Sequence, residues 1–260
     1  PGEGESEKYR NTTVASWDLK SEAINILGST AGRGPAFTPD ETPVLEIWPG
    51  ASVAIASSLN GVQSELALWT APVSRLNDEK VEWEPLAART DDITAAKAAG
   101  DTLYLLSHKN APTFQVLSLK AGQPLSAARV LVPAQDDRVI DSIHVASDAL
   151  YVLARHRAYS LLLRVPHISG TAEEVALPFK GLVSEAFADS RQPGIAINLQ
   201  GFVVPPMTFA YDSAKKTFVD LKLGVTPPYD SNRYAVSDLD VKAQDGASVP
   251  LTLIRRKDAK

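Results

Sequence analysis

Short apolar runs separated by turn residues dominate the chain between about residues 50 and 221. The runs are rich in Val, Leu, Ile and Tyr, and turn sequences such as Asn110-Ala111-Pro112 and Ala121-Gly122-Gln123-Pro124 divide them. Runs bounded in this way predict β-strands. Residues 92–99 are rich in alanine, which favours a helix, but their place in the series predicts that they form a strand too.

A repeat of about 45 residues organises these strands. Residues 100–106 (Gly-Asp-Thr-Leu-Tyr-Leu-Leu) recur 47 positions later as residues 147–153 (Ser-Asp-Ala-Leu-Tyr-Val-Leu), and Pro85, Pro133 and Pro178 follow a similar period. Four short strands in each period are typical of a β-propeller blade, in which antiparallel sheets pack face to face around an axis. The sequence therefore predicts an all-β fold, a β-propeller.

The repeat places four blades along the chain, at residues 50–87, 91–133, 138–178 and 181–221. The second is the clearest, with strands predicted at residues 93–98, 102–107, 113–119 and 128–132. Residues 11–48 are expected to supply strands of an earlier blade, most clearly at 12–19 and 44–48.

If the repeat is structural, its two best copies occupy equivalent strands. Residues 103–105 then lie in the same strand of their blade as residues 150–152. Because side chains alternate along a strand, Leu103 and Leu105 face one side and Tyr104 the other, and the second copy does the same.

The C-terminal part of the chain departs from the repeat. Residues 236–243 and 248–254 alternate between apolar and polar positions, with a turn at Gln244-Asp245-Gly246. This pattern predicts a β-hairpin. The segment before the hairpin, Pro227-Pro228-Tyr229-Asp230, is typical of a linker. The strand pattern ends in a charged segment at residues 255–260.

These features together resemble the prolyl oligopeptidase family of serine peptidases. The resemblance rests on residues 103–112 (Leu-Tyr-Leu-Leu-Ser-His-Lys-Asn-Ala-Pro), on residues 130–133 (Val-Leu-Val-Pro) with Asp136 and Asp137 after them, and above all on the hairpin. Residues 241–257 look like the family's passage from the last blade into the hydrolase domain. The resemblance spans residues 10–260 and implies about four to five blades of a seven-bladed propeller, inserted ahead of an α/β-hydrolase domain.

The chain lacks the sequence feature on which the family's catalysis depends. The family uses a Ser within a Gly-x-Ser-x-Gly elbow, followed by Asp and His, and residues 50–54 (Gly-Ala-Ser-Val-Ala) lack the second Gly. We therefore expect a noncatalytic propeller fragment without its hydrolase domain, inactive alone. The expected division is a flexible segment at 1–10, a partial β-propeller at 11–225, and the linker and first hairpin of the hydrolase domain at 226–260.

Composition narrows the classes of function. The 260 residues include 26 Lys or Arg and 31 Asp or Glu, for a net charge of −5, and no basic cluster marks a nucleic-acid surface. The absence of cysteine excludes disulfides, thiolate zinc sites and a cysteine nucleophile. No apolar stretch approaches the roughly 18 residues of a membrane helix. We expect a soluble protein, cytoplasmic or periplasmic, that binds neither nucleic acid nor membrane.

Side chains that could carry chemistry do not converge in the sequence. Each histidine lies in or beside a different strand and is expected at the surface or at a blade edge: His108, His144, His156 and His167. Three acidic pairs are expected to cap turns: Asp40-Glu41, Asp91-Asp92 and Asp136-Asp137. The sequence therefore assigns no catalytic, cofactor-binding or metal-binding residue, and no cofactor.

The tryptophans and one group of basic residues are expected to have structural roles and no role in binding. The four tryptophans are expected in the core or between blades: Trp17, Trp48, Trp69 and Trp83. A basic cluster is expected in a solvated loop: Arg155, His156, Arg157 and Arg164.

The leading functional hypothesis is taken from the resemblance. In the intact parent, the propeller would cover a Ser-Asp-His site and admit only short peptides, for cleavage after proline. The partners would be the peptide substrate and the chain's own missing hydrolase domain, with self-association through open propeller edges as a further expectation. Two alternatives remain: a stand-alone propeller scaffold that binds proteins or peptides, and a five-bladed glycosidase, which would need inward carboxylates from separate blades.

Overall fold

In a computed structural model, residues 7–31, 34–78, 80–224 and 226–259 are described, and residues 1–6 of the predicted flexible segment lie outside them. Four successive four-stranded antiparallel sheets form the blades. Blade I consists of β3 (Glu41–Glu46), β4 (Val53–Asn60), β5 (Ala67–Pro72) and β6 (Glu84–Ala87). Blade II consists of β7 (Ile93–Ala99), β8 (Thr102–Ser107), β9 (Gln115–Lys120) and β10 (Arg129–Val132).

The second half of the chain continues the series. Blade III consists of β11 (Val139–Val145), β12 (Ala149–His156), β13 (Tyr159–Pro166) and β14 (Glu173–Val175). Blade IV consists of β15 (Leu182–Phe187), β16 (Ala196–Gln200), β17 (Met207–Asp212) and β18 (Thr217–Asp220). Two-stranded sheets flank the blades: β1 (Thr13–Ser16) with β2 (Ile24–Gly28), and β19 (Tyr234–Lys242) with β20 (Ser248–Arg256).

The core lies between the blades. One apolar cluster joins blades I and II around Ile55 and Leu105, a second joins blades II and III around Val116 and Leu150, and a third joins blades III and IV around Ile197. All five side chains are at most 1% exposed. Full burial of such a side chain contributes about 1.5 to 3 kcal/mol, so face-to-face packing of the blades holds the fold together.

The repeat predicted from the sequence is confirmed. Residues 103–105 lie in β8 and residues 150–152 in β12, the second strands of blades II and III. Leu103 faces blade I and Leu150 faces blade II, whereas each following tyrosine faces the next blade. The two copies are thus structurally equivalent, residue by residue.

One predicted boundary is wrong. The sequence predicts that residues 44–48 belong to an earlier blade, but β3 is the first strand of blade I and pairs with β4, with Leu45 opposite Ala56. The turn between them contains Gly50 at φ +80°, and the corresponding turn of blade II contains Gly100 at φ +57°. Gly50 therefore lies inside a blade. Among the described residues, β1 and β2 are the strands that precede blade I. They pack on it through Ile26 and Leu27 of β2, together with Phe37 from the segment that follows.

The two ends of the blades carry different loops. The strands of each blade alternate in direction, so the turns after the first and third strands lie on one side of the blades. We call this side the opposite face, because it lies opposite the side that the C-terminal hairpin contacts. The turns after the second strand and the connections between blades lie on the other side. The C-terminal hairpin contacts that second side, which we call the hairpin face, at Arg157 and Lys180.

Candidate functional site

The C-terminal hairpin has one polar and one apolar face. Its strands pair in register, with Leu239 opposite Leu251 and Asp238 opposite Thr252. Side chains directly opposite each other share a face. The polar face therefore carries Asp238 and Asp240, and the apolar face carries Leu239, Val241, Val249, Leu251 and Leu253.

The polar face docks on blade III and on the connection that follows it. The hydroxyl of Tyr159 donates to Asp238 at 2.7 Å, and the guanidinium of Arg157 pairs with Asp240 at 3.0 Å. Lys180, in the connection between blades III and IV, lies 3.9 Å from Asp238. The hydrogen bond from Tyr159 lowers the pKa of Asp238, and burial together with Asp238 raises the pKa of Tyr159. Docking thus relies on the two carboxylates of the polar face, Asp238 and Asp240.

A cleft of about 330 Å³ opens beside this contact on the hairpin face. Tyr159 and Phe202 form its aromatic part, with their rings edge to face at 6.1 Å. Arg155 and Arg157 supply its charge, and Arg155 is held by Asp141 at 2.8 Å. The arrangement offers aromatic surface and cations to a peptide segment, and it contains no nucleophile and base in hydrogen-bond contact.

The structure separates the four histidines. His108 contacts Glu65 at 3.0 Å, and His167 contacts the hydroxyl of Tyr104 at 2.8 Å. His156 lies beside Asp137. Within the described residues, no three His, Asp or Glu side chains are placed to hold a metal ion.

His144 lies on the edge strand of blade III, in agreement with the prediction of a histidine at the surface or at a blade edge. It is half-buried on β11, with Nε2 at 2.9 Å from the hydroxyl of Ser142. Burial, assisted by the positive charge of Lys97, lowers its pKa to about 4. It is therefore neutral at pH 7.

The acidic pairs act locally, as expected of turn caps at two of three places. Glu41 accepts from the N–H of Thr38 at 2.8 Å, and Asp91 accepts from the N–H of Ala88 at 3.0 Å. At the third place, Asp137 instead forms an ion pair with Arg138 at 3.1 Å. These contacts do not assemble an inward ring of carboxylates.

Two of the structural interpretations need correction. Trp17 is 59% exposed and hydrogen-bonds to the carbonyl of Ser21. The other three tryptophans pack against apolar clusters as predicted: Trp48 between blades I and II, and Trp69 and Trp83 between blade I and the β1–β2 sheet. Arg164 does not belong to a solvated loop. It lies on β13, is 15% exposed, and pairs with Asp148 and Glu173. Its carboxylate partners lie on neighbouring elements, which the local sequence does not reveal.

A comparison with known families decides what kind of propeller this is. Residues 50–222 match the family model of the prolyl oligopeptidase N-terminal β-propeller domain. The chain belongs to this family. The match begins inside blade I and ends just after β18, so it covers most of the blades.

Individual relatives support the family. An uncharacterized peptidase of Sinorhizobium fredii is 27% identical over 139 residues, which cover 49% of this chain and 18% of the relative. Prolyl oligopeptidase B from Galerina marginata superposes with a TM-score of 0.79 at 16% identity, over 96% of this chain and 36% of that enzyme. Oligopeptidase B from Trypanosoma brucei, with covalently bound antipain, superposes with a TM-score of 0.74 at 15% identity. The match covers 96% of this chain and 36% of that enzyme.

At these identities the solved enzymes show the fold alone. The chain spans about a third of their length and less than a fifth of the curated relative. It is a propeller domain of the prolyl oligopeptidase type, and the fold predicted from the repeat and the resemblance is confirmed.

Proposed function

We propose that in the whole protein this propeller covers a Ser-Asp-His site and restricts it to short peptides, which are cleaved after proline. Residues 11–225 would form the part of the propeller present here. Residues 226–260 would be the linker and first hairpin of the α/β-hydrolase domain, which supplies the nucleophile, the base and the oxyanion donors.

The docked hairpin carries this proposal. Its polar face is bound to blade III and to the connection after it through Asp238 and Asp240, while its apolar face points away from the propeller. A further sheet or helix layer packed on that apolar face would lie over the hairpin face. The cleft at Tyr159 and Phe202 would then open toward the chamber between the domains.

Similar proteins support a peptide as the partner. Galerina marginata prolyl oligopeptidase B has been solved with a 35mer hydrolysis and macrocyclization substrate, with TM-score 0.76 and 15% identity to this chain. In the described residues, no helix is long and apolar enough to span a bilayer. The family membership favours a peptidase propeller over the stand-alone scaffold and over the glycosidase.

The test uses the full product of the reading frame that encodes this chain. Quenched fluorogenic peptides with one internal proline, in a series of increasing length, would be assayed against it, with a serine-reactive phosphonate as the control. We expect cleavage after proline, kcat/KM that falls steeply with peptide length, and loss of activity with the phosphonate. The 260-residue chain alone should show no turnover. Equal rates on a short peptide and on an unfolded protein would contradict gating, and a reading frame without a Gly-x-Ser-x-Gly segment would favour the scaffold.

A further inference from the structure

Blades II and III carry equivalent rows of four side chains on the faces that look toward the following blade. In blade III, pairing in register aligns His144, Tyr151, Arg164 and Glu173 across the sheet. In blade II, the same pairing aligns Lys97, Tyr104, Ser118 and Arg129. Ser118 therefore occupies the position of Arg164, and Arg129 occupies the position of Glu173.

The row of blade III is closed by its own charges. Arg164 donates to Glu173 at 2.7 Å and to Asp148 at 2.9 Å, and the hydroxyl of Tyr151 also donates to Asp148. Arg164 and Asp148 are only 15% and 17% exposed. A guanidinium and two carboxylates thus fill the space next to this tyrosine.

The row of blade II leaves the corresponding space open. A cleft of about 470 Å³ lies here between blades II and III, lined by Tyr104, Ser118, Lys120 and Arg129. Lys120 is paired with Asp101 at 2.6 Å. Arg129 is exposed and takes part in none of the ion pairs found among the described residues. The side chain next to Ser118 in blade II is therefore the cation Arg129, whereas the side chain next to Arg164 in blade III is the anion Glu173.

The far wall of this cleft adds apolar surface and no negative charge. Val165, Pro166 and His167 form it, and Leu131 of blade II extends the apolar surface. The imidazole of His167 contacts the hydroxyl of Tyr104 at 2.8 Å and the carbonyl of Ala146 at 2.9 Å, so both ring nitrogens are engaged. The cleft thus combines one available guanidinium, a serine hydroxyl and an apolar wall, which suits an acidic amino-acid residue.

We propose that this cleft binds the carboxylate of a peptide. The carboxylate would take the space that the guanidinium of Arg164 occupies in blade III and accept hydrogen bonds from Arg129 and Ser118. The apolar wall would contact the adjoining side chain or backbone. The cleft is on the opposite face, away from the docked hairpin, so this inference does not depend on the proposed peptidase function.

The test is an amide NMR titration of the ¹⁵N-labelled 260-residue chain with three capped tripeptides. Acetyl-Ala-Glu-Ala-amide offers a side-chain carboxylate, acetyl-Ala-Gln-Ala with a free C-terminus offers a terminal one, and acetyl-Ala-Gln-Ala-amide offers none. We expect saturable shifts at Ser118 and Arg129 with one or both carboxylate peptides, weakened by salt, and none with the neutral peptide. Comparison of the two carboxylate peptides shows whether the cleft prefers a side-chain carboxylate or a C-terminal one.

Variants separate this site from general charge attraction. Arg129→Gln should weaken binding about tenfold or more, as expected for a lost hydrogen bond to a charged group, and Arg129→Glu should abolish it. Arg75→Gln, at another exposed arginine that lies outside the cleft, should leave binding unchanged. Because Arg129 is exposed, both substitutions should preserve the native spectrum. Equal binding of all three peptides, shifts elsewhere on the surface, an unaffected Arg129→Gln, or no binding at millimolar peptide would overturn the proposal.

Discussion

At the scale of single residues, Asp148 is the most heavily bonded carboxylate between blades. It accepts hydrogen bonds from the hydroxyl of Tyr151, from Arg164 and from the N–H of Gly194 in the next blade. Burial raises its pKa, but the bonds from Gly194 and Arg164 outweigh burial and hold the pKa below its ordinary value. Asp148 therefore links blade III to blade IV as a charged group.

Removal of its cationic partner should be costly. Arg164→Gln removes the cation that pairs with Asp148, whereas Glu173 keeps Lys216 at 3.6 Å. Because Asp148 is largely buried, we expect a loss of about 2 to 4 kcal/mol in the free energy of unfolding. The matched control is Arg191→Gln, since Arg191 is 68% exposed and pairs with Asp189 in its own loop. Arg191→Gln should change the free energy of unfolding by no more than about 0.5 kcal/mol. Urea unfolding followed by circular dichroism measures both, and equal losses would contradict the assignment.

His144 should make stability depend on pH. Its pKa is about 4 in the folded chain and about 6.5 when unfolded, so the unfolded state binds more protons between these values and stability falls as the pH drops. This residue alone should remove about 2 kcal/mol between pH 7 and pH 5. His144→Gln should abolish that part of the slope, whereas the surface variant His156→Gln should retain it. Urea midpoints at the two pH values give the comparison, and identical slopes in the wild type and His144→Gln would refute the claim.

At the scale of elements, the sequence predicts strands well where both faces are apolar. β8 and β12 are buried on both sides and show long apolar runs, which is why their repeat is visible. β3 is mostly half-buried and carries Glu41, Pro43 and Glu46, so its membership in blade I depends on pairing with β4, which no local pattern records.

The candidate site shows the same division. The hairpin follows from its alternation and its Asp-Gly turn, and Asp238 and Asp240 could be placed on one face from sequence alone. Their partners could not, because Tyr159 lies 79 positions and Arg157 83 positions away along the chain. The reversed charges at Arg129 and Glu173 likewise become visible only when the strand register is known.

Two glycines with similar backbone angles should respond differently to the same change. Gly194, before β16, has φ +88°, and an added Cβ would collide with the carbonyl of Tyr211 on β17. Gly246, in the hairpin turn, has φ +85° and open space around it. Gly246→Ala should cost about 1 kcal/mol from backbone strain alone. Gly194→Ala should cost about 3 kcal/mol or more, because β16 and β17 must also separate.

Thermal or urea unfolding of the two alanine variants tests this prediction. The difference between them isolates the close approach of β16 and β17, since the backbone strain is common to both. Equal stabilities would mean that the strands can move apart without cost.

At the scale of the whole molecule, the ends of the blade series are less apolar than its middle. β1 and β2 cover blade I through Ile26 and Leu27. At the other end, the outward positions of β16 are Ala196, Asn198 and Gln200, where blade III has Tyr151 and Leu153. Two large apolar side chains are exposed on this outward face, Phe187 at 64% and Val219 at 54%. The turns of the first and last blades also meet, through a hydrogen bond from Ser190 to the carbonyl of Pro49 at 2.9 Å. Association through the propeller edges is therefore the weaker route.

The hairpin offers a stronger one. Leu239, Val241, Val249, Leu251 and Leu253 line one face and are each 44% to 48% exposed. A contiguous apolar face of this kind favours association, because burying it removes apolar surface from water. We therefore expect the 260-residue chain to self-associate, with a sedimentation coefficient that rises with concentration, through this face.

A charged pair placed on that face should suppress association without unfolding the hairpin. Leu239→Glu with Leu251→Lys puts opposite charges directly across the strands, which keeps a favourable cross-strand contact while removing two apolar side chains. The control is Val62→Lys, because Val62 is a fully exposed apolar residue in the isolated turn after β4. The double variant should sediment as a monomer at all concentrations and the control should behave as the wild type. If the double variant still associates, the interface lies at the propeller edges and not on the hairpin. If the wild type stays monomeric, the apolar face of the hairpin does not drive association.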